Sequence, residues 1–517
     1  MFFDIIFYKF YNERIRGDLK MNKEQAIEFY KEYNKKCSAY NLALTTMYFD
    51  MHTIAPIKGS DYRIDMMSLL SGELFDYQTS KENIDKLNEI SKLDLGELYN
   101  KEVALVLKEV NKIALLPKEF YMKMQTTYSK GQVNWKKAKD AKDYNLFKDT
   151  LKEIVDVTKE AYHYYNKSDN LYNDMLDDYE EGMTIKDYDH FFNTIKEQLV
   201  PVVKAVVNAN QIDDSLLYHY YDPKKQEEFM HVLLDYMKYD KDESYLTTTE
   251  HPFTCDFSLH DVRITTKYVE NALASSIFSV IHEYGHALYA LQVDDQLEGL
   301  QIGRCMSSGM HESQSRFLEN YIGRNSSYWT LNYPKLQNIF KDELENINVE
   351  DFLKMINASK PSLIRVEADE LTYPLHILIR YELEKAMING EVDYDKLDEL
   401  WADKYEEYLG VRPDNPSVGI LQDIHWSEGM FGYFPTYALG SAFGAQFYNT
   451  MKKQVNIEDA LNNGQFEFIR NWLKENIHQY GATLTADEIL VKVTNEPFNP
   501  QYYVDYLKDK YTKLYKL

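Results

Sequence analysis

Ser279-Val280-Ile281-His282-Glu283-Tyr284-Gly285-His286-Ala287-Leu288-Tyr289 sets a His-Glu-x-x-His pattern inside an apolar segment of helical period. On a helix, residues four apart share one face, so His282 and His286 present two imidazoles one turn from each other. Such a pair can hold one Zn²⁺ at about 2.0–2.1 Å, with Glu283 beside it to take a proton from a water that the metal activates. With 13 histidines and 83 acidic residues among 517, chance would supply roughly 0.05 matches to this pattern. A bland surface helix is therefore a poor account of it, and the surrounding chain must decide.

Around the pattern, Leu273, Ile277, Val280, Ile281, Tyr284, Leu288 and Leu291 recur at helical spacing, which predicts a helix over 271–293. Gly285 costs about 1 kcal/mol against Ala inside a helix, so it marks a place where a ligand or another helix comes close. Two histidines do not complete a site, because catalytic zinc takes three protein ligands plus water. Glu312, 26 residues beyond His286 in a second helix-compatible stretch, is a candidate third ligand, and on spacing alone Glu319 and His311 compete with it. Upstream, the character changes at His251-Pro252-Phe253-Thr254, and Asp261-Val262-Arg263-Ile264-Thr265-Thr266 is β-branched and alternating. A short strand or hairpin is expected there, with an edge along which an extended peptide could lie. The competing reading is a hairpin that only caps a helix bundle.

Glycine (20) and proline (13) are sparse and Lys/Glu/Leu/Tyr-rich segments dominate, so the chain reads as mainly α. Residues 22–200 read as consecutive helices. Val103 to Leu107 suggests a well-buried one, Phe147, Leu151, Ile154 and Val155 an apolar stripe, and Pro56, Pro117 and Pro201 helix starts. Residues 1–20 read as an upstream extension before Met21, and 21–517 as one catalytic domain. The tail from Phe466, with His478, reads as structural. A net charge of −25 argues against nucleic acid or an anionic membrane as partner, and no apolar run reaches the 18 residues of a membrane span. Cys37, Cys255 and Cys305 are isolated, as suits a reducing cytoplasm.

Only 11 of the 58 basic residues are Arg, and seven of these fall within 263–412, around the metal motif. Arg is needed where a carboxylate must be gripped bidentately, so at least one is expected to meet an anionic substrate group. The segment from Gly419 to Gly444 holds five glycines and puts Gln422-Asp423-Ile424-His425-Trp426 and Gly432-Tyr433 on a turning backbone, a setting suited to ligand groups.

Several blocks together carry a family resemblance: His-Pro-Phe at 251–253, Asp-Val-Arg-Ile-Thr at 261–265, His-Glu-Tyr-Gly-His at 282–286, and His-Glu-Ser-Gln at 311–314. The stretches from Ile364 to Ile377 and from Gly419 to Trp426 complete the series. In this order they resemble the carboxypeptidase Taq family of metallocarboxypeptidases (peptidase family M32), from about residue 23 to about 513. The chain departs at Ala290, where many relatives have Glu, at Phe49-Asp50-Met51, where Trp-Asp-Gln is usual, and in the 20-residue front extension.

The resemblance implies a two-lobed, mainly helical metallopeptidase fold with a deep substrate groove and a small sheet near the site, similar to neurolysin and angiotensin-converting enzyme. It implies one Zn²⁺ per chain, or Co²⁺, on His282, His286 and Glu312, with Glu283 as general base, and a homodimer. His425 and Tyr433 match the oxyanion-stabilising pair of similar helical metallopeptidases. Arg380 matches the family's His-Ile-x-x-Arg position and ranks first to bind the substrate's C-terminal carboxylate, ahead of Arg263 and Arg365. The expected activity is removal of single residues from free peptide C-termini. The alternatives are an oligopeptidase cutting internal bonds of short peptides and an inactive metal-binding scaffold, the latter opposed by the joint presence of Glu283, His425 and Tyr433.

Overall fold

The structure, a computed structural model, describes residues 21–165, 167–304 and 306–517; the extension expected over 1–20 and Cys305 lie outside them. As the composition suggests, the described chain is mainly helical, and its contacts divide it into two compact units. None of its helices is long and apolar enough to cross a membrane.

The smaller unit comprises residues 21–51, 55–114 and 299–302. Its core gathers Tyr30, Tyr33, Leu87, Ile90, Val103 and Val110. The apolar run Val103 to Leu107 lies in the helix Glu97–Ala114, where Val103, Val106 and Leu107 are buried as expected of it while Ala104 is exposed. The run is wider than the stripe it supplies. Glu102, by contrast, is fully enclosed. Its carboxylate accepts the backbone N–H groups of Gln301 and Ile302, each at 2.9 Å, and the Tyr30 hydroxyl, so the buried charge has donors in place of water.

The larger unit comprises residues 52–54, 115–298 and 303–517. Lys118–Ala141 starts after Pro117 as expected, and Lys148–Tyr165 buries Leu151, Ile154 and Val155. Pro201 does not start a helix; it sits inside Ile185–Asn208. A proline there leaves the carbonyl four residues back without its N–H partner. That residue, Glu197, is exposed, as is Pro201, so water can take the partner's place.

A three-stranded sheet comprises β1 (Ser244–Thr248), β2 (Thr254–Ser258) and β3 (Asp261–Thr266), in the order β1-β3-β2. β1 runs parallel to β3, with Leu246 beside Ile264, and β2 runs antiparallel, with Cys255 beside Arg263. The predicted hairpin is β2–β3. Val262, Ile264, Thr265 and Thr266 are all buried, which explains why the central strand is the β-branched one. In chain order, the helices that frame the site are α1 (Leu171–Asp177), α2 (Leu273–Leu291), α3 (Ser308–Arg316), α4 (Tyr373–Asn389) and α5 (Phe434–Gln454).

α2 is enclosed on nearly every side rather than along one stripe, and Ser276, Glu283 and Ala287 are buried with its apolar residues. α3 lies against both α2 and α5 at near-contact of backbones. A Cβ on Gly285 would sit 2.5 Å from the Ser315 Cα, and one on Gly440 would sit 2.8 Å from the Glu312 Cβ. The close approach expected at Gly285 is therefore that of another helix.

Candidate metal centre

α2 presents His282 and His286 with ring centroids 4.9 Å apart. α3, capped at its start by the Ser307 hydroxyl accepting from Met310 N–H, brings Glu312 to the same point. One oxygen of Glu312, Oε2, lies 3.6 Å from Nε2 of His282 and 3.6 Å from Nε2 of His286. These separations are too long for hydrogen bonds. They match the roughly 3.4 Å expected between two donors bound at about 2.0–2.2 Å to one tetrahedral ion. The three donor atoms all lie within 4.8 Å of one another, and among the described residues no other group of His, Cys, Asp and Glu side chains converges in this way. Two imidazoles and a carboxylate are a donor set that suits a divalent metal.

The competitors for the third position have other partners. Glu319 accepts a hydrogen bond from His282 Nδ1 at 2.9 Å, which leaves Nε2 of that ring for a metal. Burial pulls the Glu319 pKa up, but Arg316, His282 and Arg324 outweigh it and hold it well below the usual carboxylate range. His311 stacks on His286 with centroids 4.2 Å apart. Arg316 donates to Glu312 Oε1 at 2.7 Å and to Glu319 Oε2 at 3.0 Å, so one guanidinium spans both carboxylates. Glu319 reaches His282 from a short π-helical segment, Phe317–Ile322, that continues α3; such segments are rare and recur at functional sites.

Glu283 is buried beside the histidines, and the Thr254 hydroxyl on β2 donates to its carboxylate at 2.6 Å. Burial raises the Glu283 pKa, with His282 and Thr254 partly opposing the rise. At the start of α3 the Gly309 N–H donates at 3.0 Å to Glu180, whose carboxyl is pushed up to about 8 by burial.

His425 opens a 3₁₀ turn, and Tyr433 stands just before α5. The two rings stack with centroids 5.6 Å apart, and the Tyr437 hydroxyl lies 3.4 Å from His425 Nε2. Burial pushes the His425 pKa down to about 4, so its ring is neutral at neutral pH. Burial raises the phenols of both Tyr433 and Tyr437, and the charge of Glu312 adds to each.

The arginines divide. Arg263 binds Asp261 through two hydrogen bonds, at 2.8 and 2.6 Å, and lies over the Phe257 ring. Arg365 and Arg380 both bind Asp423, one guanidinium to each carboxylate oxygen. Arg380 also donates to the His376 carbonyl and the Tyr405 hydroxyl. Although its motif ranks it first as a carboxylate receptor, Arg380 is fully enclosed, with all three nitrogens bonded to protein groups. Arg365 turns one nitrogen to the Tyr373 hydroxyl at 3.4 Å, and the ring of Tyr373 carries Arg316 on its face. Tyr373 thus links the Asp423 network to the metal side.

A profile of the carboxypeptidase Taq (M32) metallopeptidase family matches residues 29–511. The chain belongs to that family. It is a metallocarboxypeptidase, like carboxypeptidase 1 of Bacillus subtilis, to which it is 41% identical over 488 residues, 93% of this chain and 97% of the relative. Thermostable carboxypeptidase 1 of Thermus thermophilus is 32% identical over 96% of this chain and 100% of its own length. The M32 carboxypeptidase structure from Deinococcus radiodurans superposes with a TM-score of 0.92 at 28% identity, covering 95% of this chain and all of the other. The mainly helical fold with a small sheet is thus that of the M32 carboxypeptidases.

Several residues that organise this M32 site were not singled out by sequence. Thr254 follows the His-Pro-Phe block directly and Asp423 sits in the block before His425, so position beside a motif was the available signal. Tyr373 lies inside the Ile364–Ile377 block and Tyr437 inside the glycine-rich segment 419–444, so these stretches marked their neighbourhood without marking the tyrosines themselves. His478, read as structural, lies behind the metal helices: its ring nitrogens meet Gln292 at 2.7 Å and Gln314 at 2.8 Å.

Proposed function

We propose that this M32 peptidase removes single residues from the free C-terminus of peptides, using Zn²⁺, or Co²⁺, held by His282, His286 and Glu312. The observation that carries the reading is the single Glu312 oxygen equidistant from two imidazole nitrogens. When bound, the ion would supply Lewis-acid activation of a water and of the scissile carbonyl.

The chain's own residues would do the rest. Glu283, held by Thr254, takes a proton from the attacking water and delivers it to the amine nitrogen as the C–N bond breaks. The raised pKa of Glu283 suits a group that must both accept and release that proton. His425, neutral, and Tyr433, protonated, donate to the oxyanion that forms on the carbonyl. Two arginines share one carboxylate at Asp423, so this trio keeps a formal charge of +1 that favours an anionic C-terminus. Within it Arg365, 7% exposed at its side chain against 0% for Arg380, is the member we assign to contact the substrate carboxylate, with Arg380 behind it. The edge of β2 beside Glu283 suits an extended peptide, the assembly implied by the family is a homodimer, and the isolated cysteines suit a reducing cytoplasm.

The deciding experiment digests one defined peptide with free and with amidated C-termini, and measures metal content in the same preparation. A ladder of single-residue losses that disappears on amidation is expected. Cleavage at internal bonds of both peptides would instead indicate an oligopeptidase.

A further inference from the structure

Glu384 lies fully enclosed on α4 and has no ion-pair partner in contact among the described residues. Its carboxylate receives three donors: the Trp426 indole N–H at 2.7 Å on Oε1, and the Gly432 backbone N–H at 3.0 Å and the Tyr172 hydroxyl at 2.9 Å on Oε2. Trp426 directly follows His425, and Gly432 directly precedes Tyr433. One turn earlier on the same helix, Arg380 binds Asp423, two residues before His425. α4 therefore fastens the loop on both sides of His425 and again at the entrance to Tyr433.

The loop has little freedom of its own at these points. Gly429 and Gly432 adopt φ of +76° and +89°, and a Cβ on Gly432 would sit 2.7 Å from the Met175 carbonyl on α1. α1 thus blocks Gly432 on one side while Glu384 holds its N–H.

We propose that Glu384 is a positioning residue that sets the separation of His425 and Tyr433, using one carboxylate oxygen for each flank of the loop. This rests on the reading of His425 and Tyr433 as the oxyanion donors. A dedicated buried carboxylate is well suited to the task because its two oxygens are rigidly spaced and both accept. A Gln there has one acceptor oxygen, and its NH₂ must face an N–H donor, so it can satisfy one flank only.

The test compares steady-state kinetics of metal-loaded variants on a free-carboxylate peptide. Trp426→Phe removes the indole N–H and keeps a ring; it should lower kcat about tenfold or more with KM within about twofold, because misplacement of oxyanion donors is felt in the transition state. Glu384→Gln should lower kcat at least as far, with metal content unchanged. Tyr172→Phe, which breaks the third hydrogen bond but neither loop attachment, should leave kcat at the wild-type level. The inference is overturned if Glu384→Gln and Trp426→Phe keep kcat while His425→Ala and Tyr433→Phe lower it by about 10²–10³. It is also overturned if Tyr172→Phe loses kcat equally, which would mark a general packing role. Should His425→Ala and Tyr433→Phe themselves leave kcat intact, the oxyanion reading falls and takes this inference with it.

Discussion

Glu180 is 1% exposed; the Ser307 hydroxyl and the Gly309 N–H are its hydrogen-bond partners, while its Oε1 is left without one. A carboxyl so placed is favoured in its neutral form. Its folded pKa of about 8 exceeds the unfolded value of 4.5, so the folded state binds the extra proton between these limits. The stability it contributes is complete below about pH 4.5, declines as pH rises, and is gone above about pH 8. Glu180→Gln keeps an acceptor for Gly309 and cannot ionise. Denaturant melts should therefore show this variant gaining on the wild type by a few kcal/mol, at order of magnitude, between pH 5 and pH 9. At Glu283 the expected result is chemical: Glu283→Gln should retain metal and lose about 10²–10⁴ in kcat, measured by peptide hydrolysis beside metal analysis. The same contrast explains legibility. His282 and His286 were readable together because the helix period alone puts them on one face, whereas on spacing Glu312 stood level with Glu319 and His311 and came forward only through the family resemblance. Glu384 was not readable, since its partners Tyr172, Trp426 and Gly432 lie up to 212 residues away.

Helices carry their errors and successes at the level of whole faces. The expectation for α2 ended within two residues of the observed element at both ends, because its apolar residues persist through every turn. Of the five glycines in 419–444, four divide between two purposes that a reading of the segment as one turning loop merges. Gly429 and Gly432 take positive φ in the loop, whereas Gly440 and Gly444 lie in α5, where they admit α3 and Tyr321. Composition alone could not separate turn glycines from packing glycines, since both are simply absences of a side chain. The distinction predicts the outcome of substitution. Gly285→Ala and Gly440→Ala each gain up to about 1 kcal/mol of helix propensity, but each drives a methyl into the backbone or stem of α3. A net loss of about 1–3 kcal/mol is expected in urea unfolding, with weaker metal binding because α3 bears Glu312.

Over the whole molecule, the three proposed ligands lie in the larger unit, and the smaller unit has its own core around Tyr30 and Glu102. A metal that binds only the folded site stabilises what it touches. Chelation should therefore raise amide hydrogen exchange in α2 and α3 and lower the melting temperature of the larger unit. The helix Glu97–Ala114 should keep its protection, and exchange followed by mass spectrometry with and without chelator checks this. The helical class and family of the molecule were open to the sequence because periodicity and motif order extend over nearly its full length. The division at residues 52–54, 115 and 299–303 was not, because no change of composition accompanies it.

Arg316 touches both the carboxylate offered to the metal by α3 and the carboxylate that orients His282 on α2. In engineering terms the two helices share one datum. Glu312, Arg316 and Glu319 all stand on α3 and its π-helical continuation, so one element carries both the carboxylate offered to the metal and the carboxylate that orients His282. The orientation of His282 and the position of Glu312 are thus referenced to the same element, and a change in α3 is felt at both ligands.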